Sequence, residues 1–278
     1  MSTSPPFEGD REFQKLLAGG GTVDLVGLML EFAADAYPLL NRAVVAAELD
    51  RLGRAARKRL TCAERPSEQS RLETLSELLF AEEGFRGDRD TYYDPRNSYL
   101  NEVLDRRRGI PISLAIVYQA VAARAGVRLF GVGTPGHFLL GAEGPATVYV
   151  DPFNGDVLDR EACRQRIESL LGESGVIVDA HFRAATPLEI GQRVLRNLKA
   201  AYVMQNQWLA VLPVQERLTL LADKPDERRD LGLIYLRIGQ APRALRLLED
   251  YVRTCDPAQA EELRPYLHKA RRMMAELN

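Results

Sequence analysis

Three residues near the middle of this chain, Ser113, His137 and Asp151, have the types and spacing that acyl chemistry uses. A carboxylate beside an imidazole fixes the ring's tautomer and favours its charged form. A ring held that way can take a proton from a serine hydroxyl, which is a poor nucleophile without such a base. Suppose the loop Ala142–Ala146 turns the chain about Gly144. His137 and Asp151 then lie seven residues to either side, directly opposed on one face of a hairpin with Cβ atoms about 4.5–5.5 Å apart. A slip of one residue would send them to opposite faces, so the pairing depends on the turn. Alone, a histidine satisfied by a carboxylate is commonly structural.

The element in front of the pair strengthens the functional case. Pro111 suits the first turn of a helix, where its missing N–H is not needed. The segment Ile112–Ala125 that follows is apolar on nearly all sides, so it is expected to be a buried helix, and Gly126 supplies its stop. The front end of that helix offers N–H groups and a positive dipole end, which stabilise a thiolate or an oxyanion. Ser113 stands in this first turn, where a hydroxyl also commonly serves as a cap. Strand-like runs follow at Val127–Val132, His137–Gly141 and Thr147–Asp151. Asn154-Gly155 signals a tight turn into a further short strand, and Asp159 can cap a helix to about Leu171. Ahead of them, Asn97 or Ser98 can cap a short helix ending near Arg106. The expected architecture is α+β and predominantly helical, a buried central helix on a small antiparallel sheet.

Helical regions flank this core. Residues 1–21 are expected to be loosely ordered, ending in Gly19-Gly20-Gly21. Over 22–83 the spacing predicts three helices: one capped by Asp24, one from about Asn41 to Leu60 burying Val44, Val45, Leu49 and Leu52, and one after Pro66 burying Leu72, Leu75, Leu78 and Leu79. The core spans 84–186. Residues 187–278 are helical again, with stripes at Leu195, Leu198 and Tyr202 and then Leu209, Leu212, Leu218 and Leu221. Within them Leu231-Gly232, Tyr235, Gly239, Ala244, Leu248 and Pro257 resemble one tetratricopeptide repeat. Gly232 and Ala244 are small where two antiparallel helices approach, and Tyr235 and Leu248 fill the space between.

At the central blocks the sequence resembles the bacterial SirB-type proteins of the transglutaminase-like superfamily, which have a papain-like core. The blocks are Asn97 to Leu104, Arg107 to Leu114 (Arg-Arg-Gly-Ile-Pro-Ile-Ser-Leu), Pro135-Gly136-His137-Phe138 and Asp151-Pro152-Phe153-Asn154-Gly155. Arg193 to Lys199 is similar to that family's next segment. Active members of the superfamily are implied to use a Cys–His–Asp triad. His137 and Asp151 match its last two members; where the cysteine is expected stand Pro111 and, slightly further on, Ser113. The resemblance also implies a cleft lined by Asn97, Asn101, Arg108, Pro111, Phe153 and Asn154.

Composition limits the remaining possibilities. A chain with 46% hydrophobic residues and net charge −2 gives no electrostatic basis for binding nucleic acid or an anionic membrane. No apolar run approaches the roughly 20 residues that span a bilayer. The start lacks a basic and then apolar leader, so a cytoplasmic location is expected. Cys62, Cys163 and Cys255 lack metal-ligand spacing and are expected to be reduced thiols; no metal or cofactor is expected. Two functions stay open. One is a non-catalytic module, a pseudoenzyme, that binds a protein or peptide partner or a ligand in the old cleft, with a regulatory or scaffolding role. The other is a hydrolase or acyltransferase using Ser113, His137 and Asp151.

Overall fold

The computed structural model describes residues 7–61, 67–142, 148–172, 177–222 and 224–276, and the chain divides into two units, Met1–Val194 and Leu195–Asn278.

The first unit opens with a helix where loose chain was expected. α1 (Arg11–Ala18) is held from a distance. The buried carboxylate of Glu31 accepts the N–H groups of Glu12 and Phe13, each at 2.8 Å. Those are orphan donors of the helix's first turn, and Phe13 is wholly buried. A cap supplied from eighteen residues away leaves no local sequence signal. Burial raises the Glu31 pKa more than the two N–H groups lower it.

α2 (Leu25–Ala34) starts at Asp24, whose carboxylate accepts from the Val26 N–H. α3 (Arg42–Leu60) buries Val45, Leu49 and Leu52, whereas Val44, expected beside them, is exposed. α4 (Glu68–Ser76) continues into a π-helical turn over Glu77–Glu82, with Leu72, Leu75, Leu78 and Leu79 all inward. Next comes β1 (Arg86–Gly87), which pairs in parallel with β2 (Arg108–Gly109) across α5 (Leu100–Arg106). Neither Asn97 nor Ser98 caps α5: its N-cap is Tyr99, and Asn97 lies in a short 3-10 turn capped by Asp94.

α6 (Pro111–Arg124) is the buried central helix, inward from Pro111 through Tyr118 and again at Ala120, Val121 and Ala122. It packs against α3 on one side and β4 on the other. Gly126 stops it at φ +83°. The sheet is an antiparallel meander in the order β3 (Leu129–Thr134), β4 (His137–Ala142), β5 (Val148–Asp151) and β6 (Asp156–Asp159). α7 (Arg160–Leu171) follows, capped by Asp159 through the Ala162 N–H at 2.8 Å. It seals a small core of Val132, Leu139, Tyr149, Cys163 and Ile167. The fold is therefore α+β and mostly helical.

α8 (Pro187–Met204) crosses the boundary between the units. Thr186 and Glu189 close its start reciprocally, the Thr186 N–H donating to Glu189 and the Glu189 N–H to the Thr186 hydroxyl. In the second unit, α9 (Trp208–Ala222), α10 (Pro225–Arg237), α11 (Ala241–Val252) and α12 (Pro257–Ala275) form successive helical hairpins. Leu209 is exposed rather than part of the apolar stripe. Gly232 does sit where α10 meets α11: a Cβ there would come within 3.0 Å of Leu248. Gly232→Leu is accordingly expected to overpack this hairpin and cost about 1–3 kcal/mol. Thermal denaturation should show it as a lowered midpoint, and an unchanged midpoint would mean the helices separate freely.

Candidate functional site

β4 and β5 bring His137 and Asp151 together, with Nε2 to Oδ1 at 2.9 Å. The register is not the expected one. Leu140 opposes Val150 and Gly141 opposes Tyr149, which centres the hairpin on position 145 instead of 144; the loop itself lies outside the described residues. Residues thus shift by two positions, and in a sheet of period two an even shift keeps both side chains on one face. The pair meets diagonally instead of face to face, and the long imidazole spans the difference.

Asp151 is completely buried and His137 is 4% exposed. Every acceptor site on the carboxylate is engaged. Oδ1 accepts from His137 and from the Phe153 N–H at 3.0 Å; Oδ2 accepts from Asn154 Nδ2 at 2.7 Å and from an Arg166 Nη at 3.0 Å. Burial acts to raise the Asp151 pKa, but His137, Asn154 and Arg166 outweigh it and hold the carboxyl well below the usual range. Arg166 comes from α7 and is shared with Asp156. Its role was invisible in the sequence, because nothing local ties α7 to the β5 terminus.

Ser113 is engaged elsewhere. Its hydroxyl accepts the Ile110 N–H at 3.1 Å and donates to the Asn97 carbonyl at 2.5 Å, and it is 2% exposed. Among the described residues no hydrogen bond joins it to His137. Gly109 makes this possible, since a Cβ there would stand 2.6 Å from the Ser113 hydroxyl. Ser113→Ala removes a buried hydroxyl that bonds the Ile110 N–H and the Asn97 carbonyl, but those two groups also bond each other at 3.3 Å, so it is expected to cost about 0.5–1.5 kcal/mol in urea denaturation. Full stability in that variant would show that the hydroxyl is dispensable to the fold. Of the cysteines, Cys163 is a core thiol that burial, and then the Asp151 charge, push up to about 12. Cys255 lies in the second unit and Cys62 outside the described residues.

The expected cleft residues separate into four places. Phe153 and Asn154 adjoin the pair: the Phe153 ring stands edge-on to His137 at 6.3 Å, and Asn154 holds Asp151. Asn97 is fully buried and donates to the Thr91 carbonyl at 2.7 Å, while Pro111 is buried at the front of α6. Asn101 faces a different groove, beside Val44 and Glu48, and Arg108 lies in the β1–β2 pairing. Residues outside that expected set also stand near the pair. Tyr92 packs on Phe153 at 6.3 Å, Arg89 lies over the same ring at 5.2 Å, and Arg193 donates to the Thr134 carbonyl at 2.8 Å. Gly87 admits Phe153, for a Cβ there would come within 2.4 Å of the ring.

Among the described residues no helix is long and apolar enough to cross a membrane. The family model of the transglutaminase-like superfamily matches residues 43–196, and that of a tetratricopeptide repeat matches 198–275. A UPF0162 protein of Xylella fastidiosa is 40% identical over 190 residues, covering 66% of this chain and 67% of the relative. One from Vibrio cholerae is 31% identical over 199 residues, covering 70% and 74%. Human F-box only protein 21 is 31% identical over 209 residues, which are 68% of this chain and 32% of that much longer protein. The chain belongs to the SirB-type UPF0162 family of the transglutaminase-like superfamily, with tetratricopeptide helices after the core.

Proposed function

We propose that this protein is a binding module that keeps the superfamily's His–Asp pair without its acyl chemistry, its core receiving a ligand and its tetratricopeptide helices a protein or peptide partner. The observation that carries this is the state of Ser113. A nucleophile needs its base within about 2.6–3.2 Å, and this hydroxyl is instead tied to Ile110 and Asn97. Asp151 adds support. A carboxylate shared with an arginine, an amide and a backbone N–H is built to hold a loop as much as to orient a ring. The recurrence of this segment within the longer F-box only protein 21 fits a module joined to other functions, and a regulatory or scaffolding role follows. A cytoplasmic location belongs to the same proposal.

Labelling with a fluorophosphonate and with a chloroacetamide probe tests it. Neither reagent is expected to label the protein in a way that depends on Ser113 or His137. Stoichiometric labelling abolished by Ser113→Ala or His137→Gln would establish the Ser113–His137–Asp151 hydrolase or acyltransferase instead.

A further inference from the structure

Most arginines around this core have acid partners. Arg166 serves Asp151 and Asp156, Arg106 meets Asp88, and Arg107 and Arg51 share Glu48 and Glu83. Among the described residues Arg193 and Arg89 do not. Half-buried Arg193 spends one nitrogen on the Thr134 carbonyl and lays its guanidinium against the Phe138 ring at 5.5 Å. No carboxylate pairs with it among the described residues. Its titratable neighbour is Tyr92, a phenol whose pKa burial raises. A cation that gives up water without gaining an anion is costly, and proteins rarely keep one without a use. The capping pair at the start of α8 fixes the helix one turn ahead of Arg193, so the side chain is aimed rather than loose.

Both guanidinium groups, without an acid partner among the described residues, lie beside the His137 site, Arg89 donating to the Asn154 side-chain oxygen. Thr134, which holds Arg193, is the sheet partner of His137. Tyr92 links Arg193 to Phe153, and Phe153 carries Arg89 on its face and His137 at its edge. We propose that this cleft recognises an organic anion, its carboxylate taken by Arg193 with help from Arg89 and its apolar body laid against Tyr92 and Phe153. This rests on the core being a binding site and adds the chemistry of what it binds. A planar fork of donors matches a carboxylate in two bonds, and aromatic walls favour a flat apolar body beside it.

With three histidines in the chain, ring signals of His137 can be followed by NMR in the full-length protein. Sodium 3-phenylpropionate is expected to move them saturably, and 3-phenylpropionamide, with the same body but no charge, to bind at least about tenfold more weakly. Arg193→Met should erase that difference, Arg193→Lys should keep part of it, and Arg89→Gln should reduce it. Equal binding of acid and amide would overturn the anion assignment while leaving a cleft that binds. Inorganic phosphate binding as tightly as phenylpropionate would overturn the apolar body. No movement of His137 with any of the three would overturn both this assignment and the binding role of the cleft.

Discussion

Asp151→Ala is expected to lower the unfolding free energy by about 3–5 kcal/mol, the range for removing one partner from a buried charge network. The carboxylate is wholly buried and satisfies His137, the Phe153 N–H, Asn154 and Arg166 at once. Its loss leaves an arginine without part of its compensation and an imidazole and an amide with no acceptor. Urea denaturation at neutral pH measures this directly, and a change below about 1 kcal/mol would mean the network can be replaced by water. The pH dependence has a definite sign. Because the folded-state pKa lies below the ordinary 3.8, the stabilisation is present above that value and drains away as pH falls through the folded pKa. The gap between wild type and Asp151→Asn should therefore be full at pH 7, still large at pH 4 and shrinking below it. A gap that closed by pH 5 would place the folded pKa on the wrong side.

Gly155→Ala should be the next most damaging change at this site. Gly155 has φ +84°, where an L side chain costs about 1–2 kcal/mol. A Cβ would also come within 2.7 Å of the Phe80 ring, adding an overpacking cost of about 1–3 kcal/mol. The combined loss is expected to be about 2–5 kcal/mol. Gly84→Ala separates the two contributions, since Gly84 has φ +75° and nothing within 4 Å of the added atom. It should show the backbone cost alone. If both variants lose the same stability, Phe80 gives way without resistance, and the π-helical turn that presents it does not brace the Asp151 loop.

The elements whose reasons are local were legible in the sequence. Asp24, Asp159 and Pro111 begin helices because a side-chain oxygen or a missing N–H settles a helix start within one turn. Asn154-Gly155 turns the chain because glycine alone tolerates that backbone angle without strain. α6 is buried because no polar face exists to put toward water. Periodicity was less reliable at the margins. Val44 and Leu209 have apolar side chains at helical spacing and yet face outward, since spacing gives a stripe's width only to within a residue.

The sequence by itself determined a buried helix, an antiparallel meander and a histidine and an aspartate of matching parity, for these follow from side-chain periods and turn residues that act over a few positions. Only the tertiary structure decided what those side chains do. It tied Ser113 to Asn97 rather than to His137, brought Arg166 from α7 onto Asp151, docked α1 on Glu31, and, among the described residues, left Arg89 and Arg193 without acids. Each of these contacts joins residues distant in the chain, and hydrogen-bond demand is settled by whichever partner folding delivers, which no local pattern encodes.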